Sequence, residues 1–310
     1  MKYYFIVNPN AGNGKGLKKW NRVRAYLDRN GLDYDIFFTT AAGDAARRAR
    51  ELSANLDEAA DVVTVGGDGT INEVLNGLRL LAPVTLGYVP AGTGNDFARS
   101  MHISQNPVRT IKSYTKERRV ESLDYGVLTC GDGETVRRFV NSTGAGYDAA
   151  VCSGIAKAKR TANGRFPFNP FGRFSYVFEG IRQFLLARPS RGYIILDGDR
   201  RVEFNNILFV SSHIHPFEGG GFRFATYADP KDGMLEICVI SGKNKLALIP
   251  VLCSGRWKGL KSRRGVRLFQ CREAHIHLDR GMPVHTDGEV IRNQTDMDVR
   301  CVQQQLRVLR

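Results

Sequence analysis

No run in this 310-residue sequence approaches the ~18 consecutive apolar residues that a membrane-spanning helix needs, so a transmembrane helix is not expected. The opening MKYYFIVNPN has too short an apolar run for a secretory leader and lacks a small-residue cleavage site. It reads instead as a buried strand, Tyr3–Val7, ended by Asn8-Pro9. Six cysteines (130, 152, 238, 253, 271 and 301) stand without paired spacing, which argues against a disulfide framework and for reduced thiols in a cytoplasmic chain. With no leader, the sequons at Asn141 and Asn293 carry no weight. There is no internal repeat, and neither a recognition-helix motif nor an aromatic RNA-binding signature supports a nucleic-acid partner.

Acidic residues are the scarce charge: 31 Asp and Glu face 45 Lys and Arg, for a formal net charge of +14. Such an excess suits phosphate-bearing substrates or an anionic membrane surface. The bases are densest at Lys157, Lys159, Arg160 and Arg165, and again at Arg256, Lys258, Lys261, Arg263, Arg264 and Arg267. Charge alone does not choose among partners.

What is abundant is rhythm. Over the first ~120 residues, strand and helix signals alternate. Strands are expected at Tyr3–Val7, Tyr34–Phe38, Val62–Val65 and Val84–Val89. Helices are expected at Leu17–Arg29, Asp44–Leu56, Ile71–Leu80 and Pro107–Lys116. This βαβα order predicts a parallel, helix-covered sheet. From about Ser122 the pattern changes to short strands and glycine turns, interrupted by helices at Gly172–Leu186 and Leu246–Trp257. That region is expected to be mostly antiparallel, a β-sandwich. Arg160–Phe171, basic and rich in aromatics and prolines, reads as a loop.

The chemistry concentrates at VVTVGGDGTINEVLNGL, residues 62–78. A strand running into Gly66-Gly67-Asp68-Gly69-Thr70 and then a helix is a phosphate-binding layout, because glycine lets backbone approach a ligand and a helix N-terminus offers free N–H groups. Asp68 would repel phosphate unless a cation stood between, so the stretch suggests a nucleotide with Mg²⁺. It is neither a Walker loop nor a dinucleotide fingerprint. The next strand ends in a similar loop, Pro90-Ala91-Gly92-Thr93-Gly94-Asn95-Asp96. Two such loops on successive parallel strands lie together at the sheet's carboxyl edge.

These two motifs together resemble the diacylglycerol kinase catalytic-domain family, which includes soluble bacterial lipid kinases and the sphingosine and ceramide kinases. The resemblance extends over nearly the whole chain. Asn8-Pro9-Asn10-Ala11-Gly12 looks like the family's opening motif, with Ala11 where serine is commoner. Thr39-Thr40, Gly144–Ala149, Gly219–Phe222, Asp229–Leu235 and Thr286-Asp287-Gly288-Glu289 resemble later ones. The resemblance implies an α/β nucleotide domain (residues 1–122 plus 293–310), a β-sandwich lipid-substrate domain (123–292) and a cleft between them. It implies an ATP- and Mg²⁺-dependent kinase of a lipid hydroxyl, such as that of diacylglycerol or a sphingoid base. The chain would be a cytoplasmic monomer or homodimer, peripheral to the inner face of the membrane, with its basic residues on anionic phospholipid.

Roles follow on the same footing. Asn8, Thr40, Gly66, Gly67, Asp68, Gly69, Thr70, Asn72, Glu73, Gly92, Thr93 and Asn95 are candidates for holding the nucleotide. Asp68 and Asp96 would stand near the catalytic Mg²⁺. Asp287 or Glu289 carries the general base, and sequence chemistry does not separate them. Asp124 would reach the same network. Asp229, Asp232 and the Met234 carbonyl have the family's spacing for a second Mg²⁺. Kinases of soluble acceptors such as NAD, and a basic nucleotide-binding protein without turnover, are the competing readings. The loop containing Gly92 to Asp96 and the β-rich second half speak against NAD. His275 and His277 alternate on one strand face without a ligand set, which makes structural histidines of them.

Overall fold

The structure, a computed structural model, describes residues 2–56, 58–79, 82–131, 133–161 and 172–310, with the backbone alone for 158–161 and 172–177. The expected loop at Arg160–Phe171 therefore falls almost wholly outside the described residues, as do the side chains of Lys159, Arg160 and Arg165.

The first half builds a parallel sheet from β1 (Tyr3–Val7), β2 (Tyr34–Phe38), β3 (Ala60–Gly66) and β4 (Val84–Pro90). Their spatial order is β4-β3-β1-β2. Helices α1 (Ala11–Arg29), α2 (Asp44–Ala54), α3 (Asp68–Gly77), α4 (Asp96–Ser100) and α5 (Pro107–Lys112) connect and cover it. Every residue of β3 and β4 is buried, as expected of strands covered on both faces. Trp20, Val23 and Leu27 of α1 pack with Phe5 and Val63 on one side, while Ile71, Val74 and Leu75 of α3 pack with Ile6 and Leu86 on the other. The chain leaves β1 toward β2 and returns past it to β3, so the topological switch point lies between β1 and β3.

The second half is antiparallel. It comprises β5 (Val120–Cys130), β6 (Val136–Phe139), β7 (Ser142–Gly146), β8 (Ser190–Leu196), β9 (Arg200–His213), the short pair β10 (Phe217–Glu218) and β11 (Phe222–Arg223), β12 (Leu235–Ser241), β13 (Val266–Cys271), β14 (Glu273–Thr286) and β15 (Glu289–Leu309). Helices α6 (Tyr147–Thr161), α7 (Gly172–Leu186) and α8 (Ile249–Trp257) interrupt it. Alternate inward residues such as Ile194, Val210, Ile237, Ile276 and Val284 fill the sandwich core. The 21-residue β15 joins the halves: it pairs with β14 near Glu289 and ends beside β4, where Val308 pairs with Leu86. The fold is the expected α/β unit plus β-sandwich.

Candidate active site

Three loops at the carboxyl edge of the parallel sheet converge at the switch point. At the end of β1, the Asn8 amide donates to Thr70 Oγ1 at 3.2 Å, tying the first loop to the start of α3. Gly12, Asn13 and Gly14 then run through three successive left-handed conformations before the regular helix begins. A Cβ on Gly12 would stand 2.2 Å from the Ala91 carbonyl, so only glycine lets this loop lie on the one after β4. The loops after β3 and β4 touch each other directly: a Cβ on Gly92 would meet Gly67 Cα at 2.6 Å. Asn95, with φ +51°, latches the third loop by accepting from Gly92 N–H at 2.9 Å and donating to Gly92 O at 3.0 Å. Gly67 caps α3 in an extended conformation, its carbonyl accepting from the N–H groups of Thr70 and Ile71 at 3.0 and 3.2 Å, so the helix starts at this floor.

Two acids stand in the floor. Asp68 Oδ2 and Asp96 Oδ2 lie 3.0 and 3.5 Å from the point a Gly94 Cβ would occupy. Asp96 is held by Arg99 and by the Gly220 N–H at 2.7 Å. Asp68 receives the Phe97 N–H at 3.3 Å and has no basic partner among the described residues. Burial first, and the Asp96 charge second, push the Asp68 pKa up to about 7. Burial raises Asp96 too, against the bonds from Gly220 and Arg99. Two crowded carboxylates facing one gap, one of them without a counter-charge, are a fitting place for a divalent cation.

The opposite wall comes from the turn between β14 and β15. Glu289 reaches across so far that a Cβ on Gly69 would sit 2.6 Å from its Oε1. Asp287, two residues earlier in the left-handed region (φ +48°), behaves differently. Its Oδ2 accepts from Asn72 Nδ2 and Val140 N–H, each at 2.8 Å. Its Oδ1 accepts from Asn141 N–H at 2.8 Å and Ser142 N–H at 3.0 Å. Asp287 thus clamps α3 of the first domain to the bend between β6 and β7 of the second. Arg99 and Arg256 close one side, both guanidinium groups within 3.3 Å of where a Gly221 Cβ would be.

The other candidates have partners of their own. Thr40 donates from both its N–H and its hydroxyl to Asp44, at 2.8 and 2.7 Å, closing the loop before α2. Glu73 accepts the Ala45 N–H at 3.2 Å and so joins α3 to α2. The Asn72 amide is taken by Asp287 and by the Arg138 carbonyl, at 2.8 and 3.0 Å. Thr93 is exposed at the loop tip. Asp124, expected near the base, lies at the far end of β15. Its oxygens accept from Gly233 N–H at 2.7 Å and Gln304 N–H at 2.8 Å, pinning the β-bulge where β15 crosses between domains. There it joins the Asp229–Met234 loop. Asp229 and Asp232 turn oxygens onto the N–H groups of Lys231 and Met234, at 3.1 and 2.9 Å. Burial, then the Asp229 and Asp124 charges, raise the Asp232 pKa against the bond from the Met234 N–H. His275 and His277 pair with Asp298 and Asp296 across β14 and β15, at 2.9 and 2.7 Å.

Comparison with known proteins gives the family. A family model of the diacylglycerol kinase catalytic domain matches residues 2–128, and one of the YegS C-terminal NAD kinase beta sandwich-like domain matches residues 141–310. The chain belongs to the diacylglycerol kinase catalytic-domain family. It is 28% identical over 294 residues to a Bacillus subtilis (strain 168) protein provisionally named lipid kinase YtlR, covering 93% of each chain. It is 26% identical over 288 residues to the diacylglycerol kinase of the same organism, covering 92% of this chain and 88% of that one. A crystal structure of a diacylglycerol kinase from Bacillus anthracis str. Sterne shares the fold, with a TM-score of 0.72 at 23% identity over 99% of this chain and 96% of that one. Membership of this family makes the chain a kinase.

Sequence reasoning missed the left-handed run Gly12–Gly14, for which Gly-Asn-Gly was the available signal. It also missed the Gly220 contact to Asp96, and the meeting of Asp148, Glu218 and His285 under the Asp287–Glu289 turn from three distant segments.

Proposed function

We propose that the chain is an ATP- and Mg²⁺-dependent lipid kinase that transfers the γ-phosphoryl group of ATP to a lipid hydroxyl. The observation that carries this reading is the approach of Glu289 to Gly69: an acid borne by the β-sandwich stands on the phosphate loop of the α/β domain. A hydroxyl entering between the domains would meet both. Glu289 is the better base because Asp287 already accepts four hydrogen bonds, so taking a proton there would break bonds that hold the domains together. Glu289 takes the hydroxyl proton as the new O–P bond forms. The bond from the γ-phosphorus to its bridging oxygen breaks, and ADP leaves. The glycine loops and the α3 N-terminus bind and orient the phosphates, and Arg99 and Arg256 offer positive charge at the rim. Mg²⁺ held by Asp68 and Asp96 would neutralise charge developing on the phosphates. A second Mg²⁺ at Asp229, Asp232 and the Met234 carbonyl would brace the crossing between domains.

The surface supports an acceptor carried by a membrane. Phe178, Ile181 and Leu185 share one face of α7, and Ile249, Cys253 and Trp257 one face of α8. All six are exposed, Phe178 at 69% and Trp257 at 79%. Lys245 bonds to the Leu185 and Ala187 carbonyls at 2.9 and 3.1 Å, bringing the two helices together, and exposed Lys258, Lys261 and Arg264 lie beyond. Apolar faces rimmed by bases suit an anionic bilayer. No helix among the described residues is long and apolar enough to cross a membrane.

The test is transfer of labelled phosphate from ATP to a panel of lipid alcohols in mixed micelles, with NAD alongside. Product with a lipid and none with NAD is expected. Product from NAD only, or from no lipid, overturns the reading. Co-sedimentation with anionic vesicles should fall on Trp257→Ala and at high salt; binding indifferent to both defeats the surface.

A further inference from the structure

Beneath the turn that carries Glu289 lies a buried imidazole that the reaction above does not use. His285 is fully buried, and its Nε2 faces Asp148 Oδ2 at 3.3 Å and Glu218 Oε1 at 3.4 Å. Its Nδ1 lies 3.1 Å from the Gly288 N–H, which donates to it. Gly288 stands at φ +86° with open space where a Cβ would point. Glu218 opens the loop whose Gly220 N–H holds Asp96 at 2.7 Å. One ring therefore touches the turn bearing Glu289 and, through Glu218, the segment that holds Asp96.

Asp148, Glu218 and His285 are near enough together to resemble a metal site. The Gly288 N–H argues otherwise. A ring that accepts at Nδ1 carries its proton on Nε2, the atom facing both carboxylates, whereas a metal-binding histidine needs that lone pair free and donates from its other nitrogen. The two carboxylates are thus met by an N–H.

We infer that His285 is a positioning residue for phosphoryl transfer: Nδ1 fixes the Gly288 peptide and with it the place of Glu289, and Nε2–H anchors the ring to Asp148 and Glu218. The inference rests on Glu289 being the base, and the test separates the two ideas. An asparagine at 285 can set its oxygen near the Nδ1 position and keep the Gly288 bond. A glutamine reaches toward the Nε2 position, keeps the carboxylates and leaves the Gly288 N–H unpaired. Since misplacing a catalytic group by ~1 Å costs on the order of 100-fold, His285→Gln should lose about 10- to 100-fold in kcat, with KM for ATP within about twofold. His285→Asn should retain kcat within about fivefold of the natural chain. Equal loss in both variants, or none in either, overturns the inference. So does stoichiometric transition metal in the purified chain that both variants lack. If both variants unfold, the ¹⁵N shifts of the wild-type imidazole decide: a proton on Nε2 with Nδ1 unprotonated is expected, and a proton on Nδ1, in the reverse tautomer or in an imidazolium, overturns it. Full transfer by Glu289→Gln would instead defeat the assignment of the base.

Discussion

Replacing Asp68 with asparagine should make the metal-free chain more stable and the enzyme worse. Asp68 has its pKa pushed from 3.8 up to about 7 by burial and by Asp96. Between those values the folded chain binds a proton that the unfolded chain has released, so stability falls as pH rises from about 4 to about 7 and then levels off. At roughly 1.4 kcal/mol per pH unit, the gap sets a ceiling of about 4 kcal/mol at pH 8. Residual solvent contact and the sharing of charge with Asp96 reduce this, and about 1–3 kcal/mol is expected. Asparagine keeps the shape and removes the charge. In chelator at pH 8, Asp68→Asn should therefore unfold at higher urea than the natural chain, while at pH 4 the two should nearly coincide. Millimolar Mg²⁺ should then raise the stability of the natural chain, since a ligand bound only by the folded state stabilises it by mass action. It should leave the variant almost unmoved, and transfer should fall about 100-fold or more. A variant no more stable than the natural chain in chelator at pH 8, or equally stabilised by Mg²⁺, would refute the reasoning.

Three further substitutions separate parts of the site. Glu289→Gln should lower kcat by about 100- to 10,000-fold with little change in melting temperature, as removal of a general base does; retained turnover would count against it. Asp287→Asn should instead destabilise by about 2–4 kcal/mol, because an amide offers one oxygen where four donors converge; an unchanged urea midpoint would contradict the clamp. Gly69→Ala should leave stability within about 1 kcal/mol, because the atom in the way is the far end of a flexible side chain, yet cut transfer by moving Glu289. By contrast, a Cβ on Gly77 would meet the Ala46 carbonyl at 2.1 Å, so Gly77→Ala should cost about 2 kcal/mol or more in urea unfolding.

The sequence displayed what local pattern can display. Apolar runs such as VVTV mark strands buried on both faces, and glycines at their ends mark where a ligand can approach. β15 was illegible because much of it is polar, NQTDMDVRCVQQQ, and it is held by partners on either side rather than by its own composition. β7 was hidden because Ser-Thr-Gly-Ala-Gly reads as a turn; glycine is needed at Gly146, where φ is +116° and a Cβ would stand 2.6 Å from the Leu208 carbonyl. The site shows the same division. Gly66–Thr70 and Gly92–Asp96 announce phosphate chemistry locally. The partners of Asp287 lie more than 140 residues away in the chain, and no window could include them. That distance is why sequence left Asp287 and Glu289 as two equal acids. Asp287, a carboxylate holding four N–H groups, is committed to structure. On the proposed reading its neighbour Glu289, whose carboxylate crosses to Gly69 where no side chain blocks it, takes the proton.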